Sequence, residues 1–390
     1  MSLPHRVAVL ALLAAPCALG AQKPSHSGAF VVQLGNDTIS VERFSRSGDA
    51  YSVEQVRRVP RTTLWHTHLE LAPTSGDVGT IFLMNHSLER MDAPLLGSVK
   101  LTAAGGDSAV VESKLGDSTR TRRVAVRAGM IPSLPQSFLP YELAAMRLRR
   151  SGADSMTVAL LGASGDTMPV VVRRVGADSM TFTLPFLVYR ARVDADGRIA
   201  SLYQPLGTSV RRVPNVDVNG LAKAWGALDA GGKSLGQLSP PDSVITRLGP
   251  AQVAIRYSRP KARGRTVWGN LVPYGQVWRT GANAATVLET DRDLVIGTTT
   301  VPAGRYTLFT LPTRGASTLI VSKETERNGE PLAGTDYDPK QDLARIPLTT
   351  RTVALPLEQF TIDIIPASTG RGTLRLAWAN REMMVPVRVK

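Results

Sequence analysis

Cysteine is almost absent from this sequence: of 390 residues only one, Cys17, is a cysteine. One cysteine cannot form a disulfide within the chain, so core burial has to hold the fold together, and a chain of this length can supply it. Cys17 also lies in a segment that we predict to be removed. The mature chain would then have no thiol for nucleophilic catalysis or metal binding.

The first 21 residues have the order of a secretory signal peptide. Arg6 precedes an apolar run over residues 7–15, Pro16 ends the run, and residues 18–21 are small enough for a cleavage site after residue 20 or 21. A lipoprotein signal would have a small residue where Pro16 precedes Cys17, so we expect no lipid anchor. We predict a periplasmic or extracellular protein; the alternative is that these residues form a buried N-terminal helix.

Long apolar segments and aromatic residues are also scarce. No segment after residue 21 has the run of about 20 apolar residues that a transmembrane helix needs, so we predict none. Aromatic residues make up 5% of the chain and do not alternate with its basic residues, although the net charge is +14. This excludes the surface typical of nucleic-acid-binding proteins. We interpret the scattered arginines as a solvated surface; the alternative is salt-sensitive attraction to acidic surface polymers.

Catalytic motifs are missing as well. The sequence contains no Gly-x-Ser-x-Gly nucleophile turn, no phosphate-binding glycine loop and no zinc-protease helix motif. We therefore expect a protein that does not catalyse a reaction by any of these routes.

Short segments rich in Val, Thr, Leu and Phe alternate with turns that begin with Gly or Asn followed by Asp. Glycine supplies positive φ and the Asp side chain bonds to the turn backbone, so this pattern predicts consecutive antiparallel hairpins. One helix is expected over residues 140–149, where a proline starts the segment and Ser151 and Gly152 follow it.

The sequence predicts an all-β protein with two domains. Residues 22–205 should form an antiparallel meander or open half-barrel, and residues 248–390 an antiparallel β-sandwich. Residues 206–247 are richer in Gly, Asp, Lys, Ser and Pro, which is typical of a linker, with a short helical turn over 221–228.

Four motifs in the last third of the chain resemble a known bacterial family. They are YSRP at 257–260, GRTVWG at 264–269, LVPYGQVWRTGANAAT at 271–286 and VPAGRYTLFTLP at 301–312. Together they resemble the family known as domain of unknown function 2911, over roughly residues 248–390. The chain departs from the family at 327–330, where it has RNGE and relatives often have a Trp-Gly pair. The resemblance implies an exported β-rich domain and no particular reaction; the N-terminal domain resembles no family that we recognise.

Two histidines and a glutamate alternate in a predicted strand. His66, His68 and Glu70 would share one face of it, and these side-chain types are suitable zinc ligands, with His86 as a fourth. The alternative is that they are polar residues on the solvated face, with Trp65 on the core face.

A second candidate site contains aromatic, guanidinium and amide groups close together in sequence. Trp278 can stack on a sugar, Arg279 can bind a carboxylate and Asn283 can donate and accept hydrogen bonds, with Tyr274 and Trp268 nearby. This pattern favours a binding site for a glycan or another cell-envelope ligand. The alternative is structural, with a core tryptophan, an arginine that pairs with an acid and an asparagine that caps a tight turn.

These observations predict an exported, non-catalytic binding or structural module without a cofactor. The alternative is a zinc-dependent hydrolase that uses the strand with His66, His68 and Glu70.

Overall fold

The computed structural model describes residues 26–71, 81–93, 96–105, 107–127, 129–162, 164–185 and 187–390. The predicted signal peptide lies outside the described residues. Strands dominate the described part of the chain, which has two α-helices, and the predicted all-β class is confirmed.

Fifteen strands and one helix make up the N-terminal half of the described chain. The strands are β1 (Ser27–Leu34), β2 (Asp37–Ser47), β3 (Ala50–Arg57), β4 (Thr63–Leu71), β5 (Ile81–Arg90), β6 (Gly97–Ala103), β7 (Ser108–Leu115), β8 (Ser118–Ala125), β9 (Ile131–Pro132), β10 (Ser155–Leu161), β11 (Thr167–Arg174), β12 (Ser179–Leu184), β13 (Leu187–Val193), β14 (Ile199–Gln204) and β15 (Thr208–Val213). Helix α1 (Leu139–Ser151) lies between β9 and β10.

These strands form one open sheet in the order β8-β7-β6-β5-β4-β3-β2-β1-β15-β14-β13-β12-β11-β10-β9. Each pair of neighbours is antiparallel except β9 and β10. The meander that the turn pattern predicts is therefore confirmed. Strands β1–β8 form one side of the sheet and strands β9–β15 the other. The two sides meet where β1 pairs with β15, a contact between segments far apart in sequence.

Helix α1 forms where the sequence predicts a helix. Pro140 lies in its first turn, where a missing N–H costs no hydrogen bond, and Gly152 ends it with a left-handed φ of 68°. The helix packs on one face of the sheet, and its buried Leu143 shares a core with Phe30, Leu69 and Phe182. We call this the α1 face of the sheet.

A second helix, α2 (Val218–Ala230), packs on the opposite face of β2, β3 and β4. Asp217 caps it by accepting a hydrogen bond from the Gly220 N–H, and Trp225 packs with Val41 and Val56 of the sheet. We call this the α2 face. Neither helix in the described residues is long and apolar enough to cross a membrane.

The segment predicted as a linker, residues 206–247, differs from that expectation. It contains β15, α2 and the start of a C-terminal strand, β16 (Pro241–Leu248). Its glycines and prolines lie largely at the turns between these short elements, so a composition typical of a flexible connector arises from closely spaced turns. Strand β15 is a central strand of the N-terminal sheet.

The remaining strands belong to the C-terminal third. They are β17 (Ala251–Ser258), β18 (Thr286–Thr290), β19 (Leu294–Ile296), β20 (Thr299–Val301), β21 (Gly304–Leu311), β22 (Ser317–Ser322), β23 (Glu326–Arg327), β24 (Glu330–Pro331), β25 (Asp342–Ser368) and β26 (Arg371–Val389), with a 3₁₀ turn over Pro339–Gln341.

Strand β25 gives the C-terminal region its two layers. Residues 342–348 pair with β22, whereas residues 349–368 pair with β26, and the order of the nine strands is β16-β17-β18-β21-β22-β25-β26-β19-β20. Side chains from both layers, such as Leu288 and Val387, share one core. This arrangement confirms the antiparallel sandwich that the sequence predicts.

Candidate functional site

The predicted C-terminal site contains two tryptophans: Trp268 is buried in the core of the sandwich, and the partly buried Trp278 packs against that core. The ring centre of Trp278 lies 5.9 Å from Trp268, 4.9 Å from Phe360 and 6.1 Å from Trp378. The Trp268 indole N–H donates to the backbone oxygen of Trp378 at 3.0 Å. Since aromatic rings at these separations stabilise one another, the tryptophans serve packing here.

Arg279 and Asn283 hold the turn that follows Trp278. Arg279 donates from Nη1 to the Asn283 backbone oxygen at 3.2 Å, and burial lowers the pKa of its guanidinium. Asn283 has a left-handed φ of 59° and donates from Nδ2 to the Ser239 oxygen at 3.2 Å. Asn283 lies in a turn as the structural alternative expects, whereas the hydrogen bond of Arg279 goes to a backbone oxygen and not to an acid.

Tyr274 packs against two arginines, one of which, Arg381, also lies 5.6 Å from the ring centre of Trp268. The guanidinium carbons of Arg314 and Arg381 are 5.2 and 5.5 Å from its ring centre. Arg381 also donates to the Thr313 and Arg314 oxygens at 2.7 and 2.8 Å, which fixes the loop before β22. The structure thus brings Trp268 and Trp278 together and places the polar groups around them in structural contacts.

The histidines of β4 do not assemble into a metal site. His68 Nε2 lies 3.3 Å from Glu70 Oε1, whereas His66 Nδ1 lies 3.9 Å from the oxygen of a different residue, Glu54. The described residues contain no group of three or more His, Cys, Asp or Glu side chains that could hold a metal ion. The zinc hypothesis is therefore corrected: a strand presents alternate side chains in parallel, and zinc needs them to converge.

His86, the predicted fourth ligand, lies on the other face of the sheet. It is opposite Thr67 in the register, and its Nδ1 and the Thr67 hydroxyl are 2.6 Å apart. Because Thr67 alternates with His66 and His68 along β4, His86 lies on the α1 face and they lie on the α2 face.

A groove opens on the α1 face beside His86, where α1 does not cover the sheet. Its floor is a row of residues from consecutive strands: Trp65 of β4, Leu88 of β5, Gly97 of β6 and Leu115 of β7. A second row, His86, Val99, Ser113 and Arg120, runs beside the first. The groove has a volume of about 470 Å³ and is mostly apolar, within the range of small-molecule sites. We call it the Trp65 groove.

Trp65 is fixed by residues of the strands on both sides. The guanidinium carbon of Arg57, in β3, lies 3.9 Å from its ring centre, and the His86 ring, in β5, lies 4.4 Å from it. Its indole N–H donates to the Thr63 hydroxyl at 2.8 Å. These three contacts preorganise the Trp65 end of the groove floor.

Arg57 places a buried positive charge next to Trp65. Arg57 is 6% exposed to solvent, and its Nε donates to the neutral side chain of Gln55 at 2.7 Å. Among the described residues its Nη2 has no hydrogen-bond partner, and the same is true of Ser40 Oγ and Glu42 Oε2 nearby on the α1 face. Burial lowers the pKa of Arg57 to about 9, against the opposing charge of Glu42.

His86 is neutral at physiological pH. Burial, with a smaller contribution from the charge of Arg57, lowers its pKa to about 4. Its hydrogen bond to Thr67 occupies one ring nitrogen. A neutral, packed imidazole beside an indole offers a ligand an aromatic surface, so the arrangement is suited to binding.

Residues 239–387 match the family described as Protein of unknown function (DUF2911). This confirms the resemblance of the C-terminal third, and the N-terminal region has no family match. No curated protein matches the chain.

The Trp65 groove lies outside the DUF2911 region. The sequence pattern predicts Trp65 on a core face as one alternative and His86 as a metal ligand on the opposite face as the other; neither predicts a groove that both residues line. The sequence does indicate which β4 residues share a face. Trp65 and Thr67 alternate with His66 and His68, so a residue that lies opposite Thr67 is on the same face as Trp65. Identifying that partner as His86 requires the register of β5.

Proposed function

We propose that this protein is an exported, non-catalytic binding protein whose Trp65 groove takes a small, largely apolar molecule. The observation that carries the proposal is the groove itself, about 470 Å³ of mostly apolar space on the α1 face of the sheet. Hydrophobic side chains that remain uncovered in a monomer are typical of a ligand site.

Export is supported by the order of basic, apolar and small residues over 1–21. The test is the mass of the protein recovered outside the cytoplasm after expression in a bacterium. We expect a chain that begins at residue 21 or 22; an uncleaved chain retained in the cytoplasm would contradict export.

Gly97 offers a direct test of the groove. A Cβ added there would lie 3.3 Å from Leu115 Cδ1 and 3.7 Å from Leu88 Cδ2, so a larger side chain would fill the floor. Gly176 is a matched control, because its added Cβ would meet only Ser179 Cβ at 3.9 Å and neither glycine has a left-handed φ.

The experiment is a titration of the mature protein with the neutral fluorophore N-phenyl-1-naphthylamine. We expect saturable binding to the wild type and to Gly176→Leu, and at least about tenfold weaker binding to Gly97→Leu and Trp65→Ala. Circular dichroism should show that all variants are folded. Equal binding by Gly97→Leu and the wild type would place the site elsewhere and overturn the proposal.

A further inference from the structure

We infer that the ligand of the Trp65 groove is an anionic amphiphile, an aliphatic chain that carries one negatively charged head group. The inference rests on the proposed function and adds the shape and the charge of the ligand.

The shape follows from the floor of the groove. Trp65, Leu88, Gly97 and Leu115 lie directly opposite one another on four adjacent strands, so the row crosses the sheet at right angles to the strands. Neighbouring strands are about 4.8 Å apart, which makes the row about 14 Å long. Gly97 has no side chain to interrupt it, and the floor is lowest there. A narrow apolar trough of this length fits an extended aliphatic chain.

The charge follows from the residues that line the groove. They include no acidic residue, and the basic residue whose side chain lies on the α1 face is Arg120; Lys114 alternates with Ser113 along β7, so its side chain lies on the α2 face. Arg120 lies opposite Ser113, on the same face as His86 and Val99, at the β8 end of the trough. Asp117, in the turn between β7 and β8, is close in sequence but is not among the lining residues.

A second positive charge lies behind the other end of the trough. Arg57 is within 3.9 Å of the Trp65 ring centre, and its Nε donates a hydrogen bond to the neutral side chain of Gln55. The guanidinium is too buried to contact a head group, yet its charge acts through a medium of low dielectric constant. Arg120 makes the β8 end of the apolar trough positive, and Arg57, whose charge is partly opposed by Glu42, adds to this at the other end, so a negative ligand is favoured over a positive one. The more exposed Arg120 is the residue that would bind the head group.

Three probes with the same chain separate charge from apolar contact: decanoate, decanol and decyltrimethylammonium, each below its micellar concentration and each displacing N-phenyl-1-naphthylamine from the mature protein. We expect decanoate to bind at least about tenfold more tightly than decyltrimethylammonium, with decanol between them. Shortening the chain to octanoate should weaken binding by up to about fourfold for each methylene removed.

Two variants of β8 test the assignment to Arg120. Arg120→Gln should weaken decanoate binding by about three- to tenfold and leave decanol binding unchanged. Arg123→Gln, which removes the same charge from the α2 face of the same strand, should change neither.

The outcomes separate the two proposals. If the three probes bind equally and Gly97→Leu abolishes their binding, the groove is a binding site and the inference about charge is wrong. If decanoate still binds to Gly97→Leu, its site lies elsewhere and the inference is also wrong. If neither the probes nor the neutral fluorophore bind to the wild type, the proposed function fails with it.

Discussion

The guanidinium of Arg57 lies 3.9 Å from the ring centre of Trp65, and the ring is also 4.4 Å from that of His86. The three residues come from adjacent strands β3, β4 and β5. The guanidinium, the indole and the imidazole therefore form one packed unit at the Trp65 end of the groove. A substitution of one of these residues should change a measurable property of the others.

The first prediction concerns the pKa of His86. Arg57→Met keeps most of the packing volume against Trp65 and removes the positive charge that helps to lower the pKa of the imidazole. We expect the pKa of His86 to rise from about 4 and to stay below its ordinary value of 6.5, because burial is the larger cause and is retained. The measurement is an NMR titration of the histidine ring protons.

Arg43→Met is the control for that titration. Arg43 pairs with Glu54 on the α2 face, so its removal takes away one positive charge without changing the surroundings of His86. An unchanged His86 pKa in Arg57→Met, or an equal rise in both variants, would refute the assigned influence of Arg57.

The second prediction concerns Glu42, whose carboxyl group is buried and accepts a hydrogen bond from the Phe138 N–H at 2.7 Å. Burial raises its pKa from 4.5 to about 7. The folded chain therefore holds this proton where the unfolded chain has lost it, and the stability that Glu42 contributes below pH 4.5 is lost as the pH rises through 7. Glu42→Gln keeps the acceptor oxygen and cannot ionise.

We expect Glu42→Gln to match the wild type at pH 4 and to exceed it at pH 8 by on the order of 3 kcal/mol in the free energy of unfolding. Urea titrations at both pH values measure this difference, and the contributions of other titrating groups cancel between the two proteins. A difference between variant and wild type that does not change with pH would show that Glu42 ionises normally in the folded state.

Local chemistry explains which parts of the fold the sequence predicts. The Gly-Asp and Asn-Asp turns specify hairpins because they satisfy their own backbone within a few residues, and Pro140 with Gly152 marks α1 in the same way. The pairing of β1 with β15 joins residues such as Phe30 and Arg212, and no local pattern contains it. The predicted linker shows the same limit: segment 206–247 as a whole has the composition of a connector, yet it contains β15, a central strand of the N-terminal sheet.

The candidate site was harder to predict because it is distributed over strands. His66, His68 and Glu70 are close in sequence and form no cluster, whereas Trp65, His86 and Arg120 are distant in sequence and line one groove. Sequence spacing reports which residues share a face of one strand. It does not report the register between strands, which decides what lies beside Trp65.

The third prediction concerns Glu142 of α1, which is fully buried and accepts hydrogen bonds from three directions. His26 Nε2 lies 2.6 Å from its Oε1, the Ile199 N–H donates to its Oε2 at 2.8 Å, and Arg212 forms an ion pair with it. Glu142→Gln removes the charge that these groups surround and places an NH₂ group among donors. We expect a loss of about 3 kcal/mol or more in the free energy of unfolding.

The matched control is Glu54→Gln, which breaks the more exposed ion pair with Arg43. Such a pair contributes less than about 1 kcal/mol. Urea denaturation of both variants compares the two costs. Equal losses would mean that Glu142 does not anchor α1 to the sheet.

The last prediction concerns Gly35, which lies in the turn between β1 and β2 and contacts the C-terminal region. The Asn36 N–H donates to the Arg263 oxygen at 2.8 Å, Arg263 forms an ion pair with Asp37, and Arg265 donates to the Leu206 oxygen at 2.7 Å. A Cβ on Gly35 would collide with the backbone oxygen of Arg263. Gly35→Ala should therefore disturb the contact through which these two parts of the chain meet.

Gly48→Ala separates this collision from backbone strain. Gly48 has a φ of 60°, close to the 58° of Gly35, and a Cβ there would meet nothing within 4 Å. Both alanines should therefore cost about 1 kcal/mol or more for the left-handed conformation. Gly35→Ala should cost about 1–3 kcal/mol beyond that, because Arg263 is held by its own contacts and cannot move away freely. Calorimetry should then show a melting temperature for Gly35→Ala roughly 2–8 °C below that of Gly48→Ala; equal melting temperatures would mean that the turn yields without loss and does not couple the two regions.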